Sequence, residues 1–211
     1  MTMPSDIPPN LRAALGRNLS DAERLTVLRG RLASVADTEG LLDITYRIVD
    51  SPHGRLLLAS TEAGLVRVAF ETENHDAVLQ TLSETISPRL LQSSLRTETV
   101  TRQLDDYFER RLRSFNVPID LQLVKGFRRD VIAHLNEITY GTTASYATVA
   151  RIAGSPAAVR AVGSACSHNP VPIVIPCHRV VRSDGTLGQY LGGAEVKASL
   201  IAMEAAVTVA K

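Results

Sequence analysis

Apolar positions change spacing along this chain, and each change marks a new region. Leu25, Leu28 and Leu32 stand three and four apart behind Ser20-Asp21-Ala22-Glu23. A serine followed three residues later by glutamate is a capping box, and the stripe behind it predicts one amphipathic helix. Such stripes ordinarily bury against their own domain, so an appendage packed on the body is expected. Residues 44–49 and 55–60 then read as strands around the turn Ser51-Pro52-His53-Gly54. Residues 65–70 follow Gly64 as a third strand, and residues 74–86 and 97–112 read as helices. This small α+β unit ends near Pro118-Ile119-Asp120. His53 and His75 stand alone in it and read as surface or turn residues.

From Phe127 the pattern turns helical. Phe127, Val131, His134, Leu135 and Ile138 recur on one face, and Tyr140-Gly141 ends that helix. Thr143-Ala144-Ser145 caps a second helix, which runs through Tyr146, Val149 and Ile152 until Gly154 stops it. Ser155 caps a third, with Pro156 at its first position, continuing to Ala165. Two short helices around a glycine-bearing turn outline a helix-turn-helix. The third helix is lined with Ala157, Ala158, Ala161, Gly163, Ser164 and Ala165. Small residues suit close approach to another surface and tight core packing equally. After them the apolar run Val171-Pro172-Ile173-Val174-Ile175 reads as a buried strand. It delivers Pro176-Cys177-His178-Arg179 and exits through Ser183-Asp184-Gly185-Thr186-Leu187-Gly188. A last helix begins near Ala194.

A length of 211 residues suits one large domain or two small ones, and a hydrophobic content of 45% can supply the core. The expected partition is a helical extension over residues 1–40, an α+β domain over 41–120 and a third region over 121–211. No run of eighteen apolar residues occurs, so no membrane span or membrane partner is expected. The first residues lack the basic and apolar stretches of a signal peptide. The two cysteines, Cys166 and Cys177, make no disulfide framework and fit a reducing cytoplasm. No Cys-x-x-Cys or Cys/His cluster calls for a metal. Residues 1–124 carry 14 Lys/Arg against 17 Asp/Glu, and residues 125–211 carry 9 against 5. The basic excess in the cysteine-bearing half mildly favours a polyanionic partner.

Candidate chemistry centres on Cys177. A cysteine attacks as its thiolate, and neighbouring cations or proton acceptors raise the thiolate fraction. His178 and Arg179 follow it directly. On these residues alone a Cys-His hydrolase, or a regulator using the helix-turn-helix, remains open.

The wider pattern resembles the O6-alkylguanine-DNA alkyltransferases. It comprises Tyr140-Gly141, Ser145-Tyr146, Arg160-Ala161-Val162-Gly163, Asn169-Pro170, the run from Pro172 through Val181, Gly185, Leu187-Gly188, Tyr190, Gly192-Gly193, Lys197 and Glu204. The resemblance covers about residues 126–205. It implies an α+β fold: a small RNase H-like first domain, then a mainly helical DNA-binding and alkyl-accepting domain with a helix-turn-helix. It implies repair of O6-alkylguanine in double-stranded DNA by single-turnover transfer to Cys177, without a cofactor. His178 would take the thiol proton through a water, Glu204 would orient His178, and Asn169 would brace the turn before the cysteine. Tyr146 would donate to the leaving guanine and crowd the phosphate beside the flipped nucleotide. Arg160 would fill the gap left by the extruded base. Ala161, Gly163 and Ser164 would lie along the DNA. Val180, Gly188, Tyr190, Leu191 and Lys197 would line or support the base pocket. Gln189 and Leu191 depart from the smaller residues usual there, which bears on pocket shape. A monomer on DNA is implied, nucleoid-associated, with cooperative binding open. The alternative is a non-catalytic damage-binding or regulatory relative, which the presence of Cys177 argues against.

Overall fold

A computed structural model describes residues 20–208; the Pro-containing segment before Ser20 lies outside the described residues. Helix α1 spans Asp21–Thr38, and its capping box forms as predicted, with the Ser20 amide donating to Glu23 Oε2 at 2.7 Å. The expected packing of its stripe does not. Leu25, Leu28 and Leu32 remain 52%, 46% and 56% exposed, and Ala33 is the side chain buried instead. The helix faces Ser93, Ser94 and Arg96 with its slim side, Gly30 and Ser34, across an open groove. Arg96 reaches over to pair with Asp37.

Strands β1 (Ile44–Val49), β2 (Leu56–Thr61), β3 (Gly64–Phe70) and β4 (Leu90–Gln92) form a sheet in the order β3-β2-β1-β4. β4 runs parallel to β1; its three residues are too few to show a period in the sequence. All six positions of β2 are buried, because both faces of the sheet are covered. On one face Ile44, Leu57, Ala59, Val66 and Ala69 pack with Val78 and Leu82 of α2 (His75–Thr85). On the other, Leu56, Leu58, Val68 and Phe70 meet Val100, Leu104 and Tyr107 of α3 (Glu98–Phe108). Gly64 is required where β3 begins: its φ is +142°, and a Cβ there would lie 2.4 Å from the Pro118 carbonyl oxygen. α3 stops short of the predicted Leu112, with Arg110 in the left-handed region at φ 63°.

That second core continues into the C-terminal half, which comprises α4 (Phe127–Leu135), β5 (Ala144–Ser145), α5 (Tyr146–Ile152), α6 (Val159–Ser167), β6 (Val180–Val181) and α7 (Ala194–Thr208). Val131, Leu135, Val149, Val162 and Leu200 join the same buried cluster as β2 and β3. The architecture is α+β, a sheet-bearing first part and a helical second part. Three sequence expectations shift. α4 ends at Leu135, and turns carry the chain on to Tyr140. α6 begins at Val159, because residues 155–158 close a turn with the Ala158 amide on the Ser155 carbonyl at 2.8 Å. The run 171–175 is a tight buried loop, not a strand. Its Ile175 amide bonds the Val171 carbonyl at 2.9 Å, and Ile173 sits at φ 73°. Continuous apolar character reports burial rather than strand geometry, and Pro172 and Pro176 have no N–H to offer a ladder.

Candidate active site

Cys177 opens a single 3₁₀ turn, Cys177–Arg179, at the end of that loop and is 1% exposed. Asn169, at the end of α6, ties the loop together. Its Nδ2 donates to the Cys177 Sγ at 3.1 Å and to the Ile175 carbonyl at 2.9 Å, while its Oδ1 accepts from the Val171 amide at 3.0 Å. Burial pushes the thiol up to about 11, against the smaller opposing effects of the Asn169 amide and the Lys197 ammonium. The resting group is therefore a thiol. The sequence had placed cations at the sulfur, but the guanidinium of Arg179 turns away from it.

Arg179 turns to Glu204, on α7. Nε donates to Glu204 Oε2 at 2.9 Å and Nη2 to Oε1 at 3.0 Å, while Nη1 donates to the Ile138 carbonyl at 2.7 Å. His178 Nε2 lies 2.9 Å from Glu204 Oε1, Tyr107 Oη donates to the same oxygen at 2.6 Å, and the Gly141 amide reaches Oε2 at 3.2 Å. Burial opposes the charge on Glu204, yet these bonds, led by those of His178 and Arg179, hold its carboxyl at about 2. An ionised carboxylate only accepts, so His178 Nε2 carries the hydrogen and Nδ1 presents the lone pair. Nδ1 is buried and makes no hydrogen bond. Burial holds His178 below the usual imidazole value despite Glu204, which keeps it neutral and able to take a proton. Tyr107 was missed by sequence reasoning, as was the part Arg179 plays. Val100, Leu104 and Tyr107 share one face of α3 at spacings of four and three, and a buried tyrosine hydroxyl needs a partner.

A second cluster sits beside the thiol. Lys197 Nζ donates to the Val180 carbonyl at 2.6 Å and lies 5.9 Å from the Tyr146 ring centroid. Tyr146, held at the start of α5 by the Ser145 cap, touches both α6 and the loop after β6. A Cβ on Gly163 would stand 3.9 Å from its ring, and one on Gly188 only 2.2 Å from its hydroxyl. Gly188 is thus a close-approach glycine. Burial, then the nearby cysteines, raise the Tyr146 hydroxyl, so it stays protonated and can donate. Tyr190 lies edge-on to His178 with centroids 6.3 Å apart, and Leu191 beside it is half-buried. Arg160 stays apart from both clusters, exposed in the first turn of α6, while Ala161, Gly163 and Ser164 are half-buried on that helix. Among the described residues no group of three His, Cys, Asp or Glu side chains is arranged to hold a metal, and no helix is long and apolar enough to cross a membrane.

Comparison with known proteins joins these two halves. Residues 126–206 match the 6-O-methylguanine DNA methyltransferase DNA-binding domain, and residues 44–121 match the ribonuclease-like domain of the same family. The methylated-DNA–protein-cysteine methyltransferase of Mycolicibacterium paratuberculosis is 38% identical over 161 residues, which is 76% of this chain and 92% of that protein. Its namesake in Mus musculus is 36% identical over 176 residues, 75% of this chain and 80% of the relative. A crystal structure of Mycobacterium tuberculosis OGT in complex with DNA superposes with a TM-score of 0.66 at 34% identity, covering 77% of this chain and 93% of that one.

Proposed function

This chain belongs to the 6-O-methylguanine DNA methyltransferase family, and we propose that it repairs double-stranded DNA by taking the alkyl group of O6-alkylguanine onto Cys177, once per molecule. The observation that carries this is a buried thiol whose chain neighbour, His178, is itself buried against the Glu204 carboxylate. Asn169 holds Sγ, and His178, with Nε2 committed to Glu204, leaves Nδ1 as the acceptor for the proton that a water would relay. A thiol near 11 is inert at neutral pH until it is deprotonated in step with the reaction.

In that reaction the S–C bond forms as the C–O6 bond breaks, and the electron pair leaves with the guanine. The thiol proton passes to His178, and Tyr146 donates a proton to the departing ring. The proton on His178 then restores the Tyr146 hydroxyl, so the balance is one proton moved from sulfur to guanine. The thioether is stable, which ends the molecule's activity. A base inside a duplex cannot present its O6 substituent to a buried sulfur, so the nucleotide must be extruded. Arg160, exposed on α6, is suited to fill the gap, with Ala161, Gly163 and Ser164 allowing the helix close to the DNA. Val180, Gly188, Tyr190, Leu191 and Lys197 would then frame the base.

The division of labour we infer is an extension through residue 40, a supporting domain over 41–120 and the DNA-binding, alkyl-accepting domain over 121–211. The acting unit is a monomer, working in the cytoplasm on the nucleoid. Incubation with duplex DNA carrying a labelled O6-methyl group tests the reading. The label should move to the wild-type protein and not to Cys177→Ser, while both bind the DNA. Transfer to Cys177→Ser, or loss of its DNA binding, would sink the assignment.

A further inference from the structure

Phe70 closes β3 in the first domain, far in sequence from the alkyl-accepting cysteine, yet its buried ring reaches the pocket wall. It packs edge-on against Tyr190, with centroids 5.6 Å apart and planes at 67°. It also fills the space beside Gly192, where an added Cβ would lie 2.9 Å from two ring carbons. Gly192 is not among the positive-φ glycines, so this ring and not the backbone demands glycine there. The ring is itself held. The Phe70 amide donates to Glu73 Oε1 at 2.9 Å, and Glu73 pairs with Arg67. Arg67 Nη1 and the Val68 amide both bond the Pro170 carbonyl, at 3.2 and 2.8 Å, so β3 is tied to the loop that carries Asn169. Tyr190 has no such anchor, because its buried hydroxyl makes no hydrogen bond and packing alone fixes its ring.

We propose that Phe70 is a specificity-positioning residue: by holding the wall formed by Tyr190, Leu191 and Gly192, it limits the size of the alkyl group that reaches Cys177. This rests on the reading of Cys177 as the acceptor. A packed apolar wall discriminates between groups differing by a methylene or more, and truncating its support lets the wall relax into the space released.

The test measures single-turnover transfer to the full chain from duplexes carrying O6-methylguanine or O6-benzylguanine, for wild type, Phe70→Leu and Phe70→Ala. The benzyl-to-methyl rate ratio should rise about tenfold in Phe70→Ala and by less in Phe70→Leu. Phe70→Leu keeps most of the apolar volume, so the test stands even where the alanine variant fails to fold; thermal melting identifies the folded variants. A folded variant in which both rates fall together, leaving the ratio unchanged, would show a merely structural residue and overturn the proposal. Wild type accepting neither group would remove the acceptor reading and this proposal with it.

Discussion

Helix α1 and the centre around Glu204 break the inside–outside rule in opposite directions. α1 shows leucines to solvent, with Leu25, Leu28 and Leu32 about half exposed. The centre hides His178, Arg179 and Glu204 in the core. The second violation is compensated at the carboxylate: Glu204 receives five hydrogen bonds, from His178, Tyr107, Gly141 and twice from Arg179. The first has no counterpart in the described residues. Burying a charge costs several kcal/mol unless it is paired, so the folded chain tolerates this carboxylate because both its oxygens are paired, while the neutral His178 keeps Nδ1 without a partner. An exposed leucine costs the fold almost nothing and contributes almost nothing to it. Chemistry is therefore to be sought where polar groups are hidden.

Glu204→Gln should break this contrast most strongly. It leaves Arg179 and His178 buried without their anion and should cost about 3–5 kcal/mol of stability, measured by denaturant unfolding, together with most of the transfer rate. The pH dependence follows the same group. The folded carboxyl sits at about 2 against an ordinary 4.5, so its stabilisation is present above 4.5 and is lost as pH falls toward 2. The wild-type unfolding midpoint should drop over that interval, and that of Glu204→Gln should be flatter.

Arg160→Ala concerns an exposed charge whose effect should appear only on DNA. Transfer from duplex substrate should fall about tenfold or more, because extrusion of a base costs a few kcal/mol, while transfer from free O6-benzylguanine should be nearly unchanged. Equal losses on both would remove Arg160 from base extrusion. Tyr107→Phe takes one hydrogen bond from a buried carboxylate and should cost about 2 kcal/mol. It should also move the acid limb of the stability profile upward, since Glu204 loses a donor that favours its charge; an unmoved limb would make Tyr107 a packing residue only. At the small end, Leu28→Gln with Leu32→Gln on α1 should change stability by about 0.5 kcal/mol or less. A larger loss in thermal melting would mean that the exposed stripe has a partner.

The same contrast explains what could be read in the chain. The helix-turn-helix and three of the four strands were visible because their apolar spacing is local; β4 was too short to show one. Cys177 and His178 stood out by themselves as a reactive pair, but Asn169 and Glu204 were visible only with them, as a spaced pattern; alone, each of those two reads as an ordinary polar residue. Tyr107 meets Glu204 across 97 positions and Arg67 meets Pro170 across 103, and pairings that long leave no periodic trace. The loop at 171–175 misled for the converse reason: its apolar run is local and plain, but it reports only burial. The leucines of α1 misled in the same way, since a helical stripe announces a face and not what covers it.

Whether the buried centre exists to make Cys177 an acceptor is tested most directly by intact-mass spectrometry of the full chain after incubation with excess O6-methylguanine duplex. The account predicts the gain of one methyl group per protein, located by fragmentation at Cys177, with no further product however long the incubation. A methyl group on Cys166 or elsewhere, turnover beyond one per molecule, or an unmodified protein would contradict it.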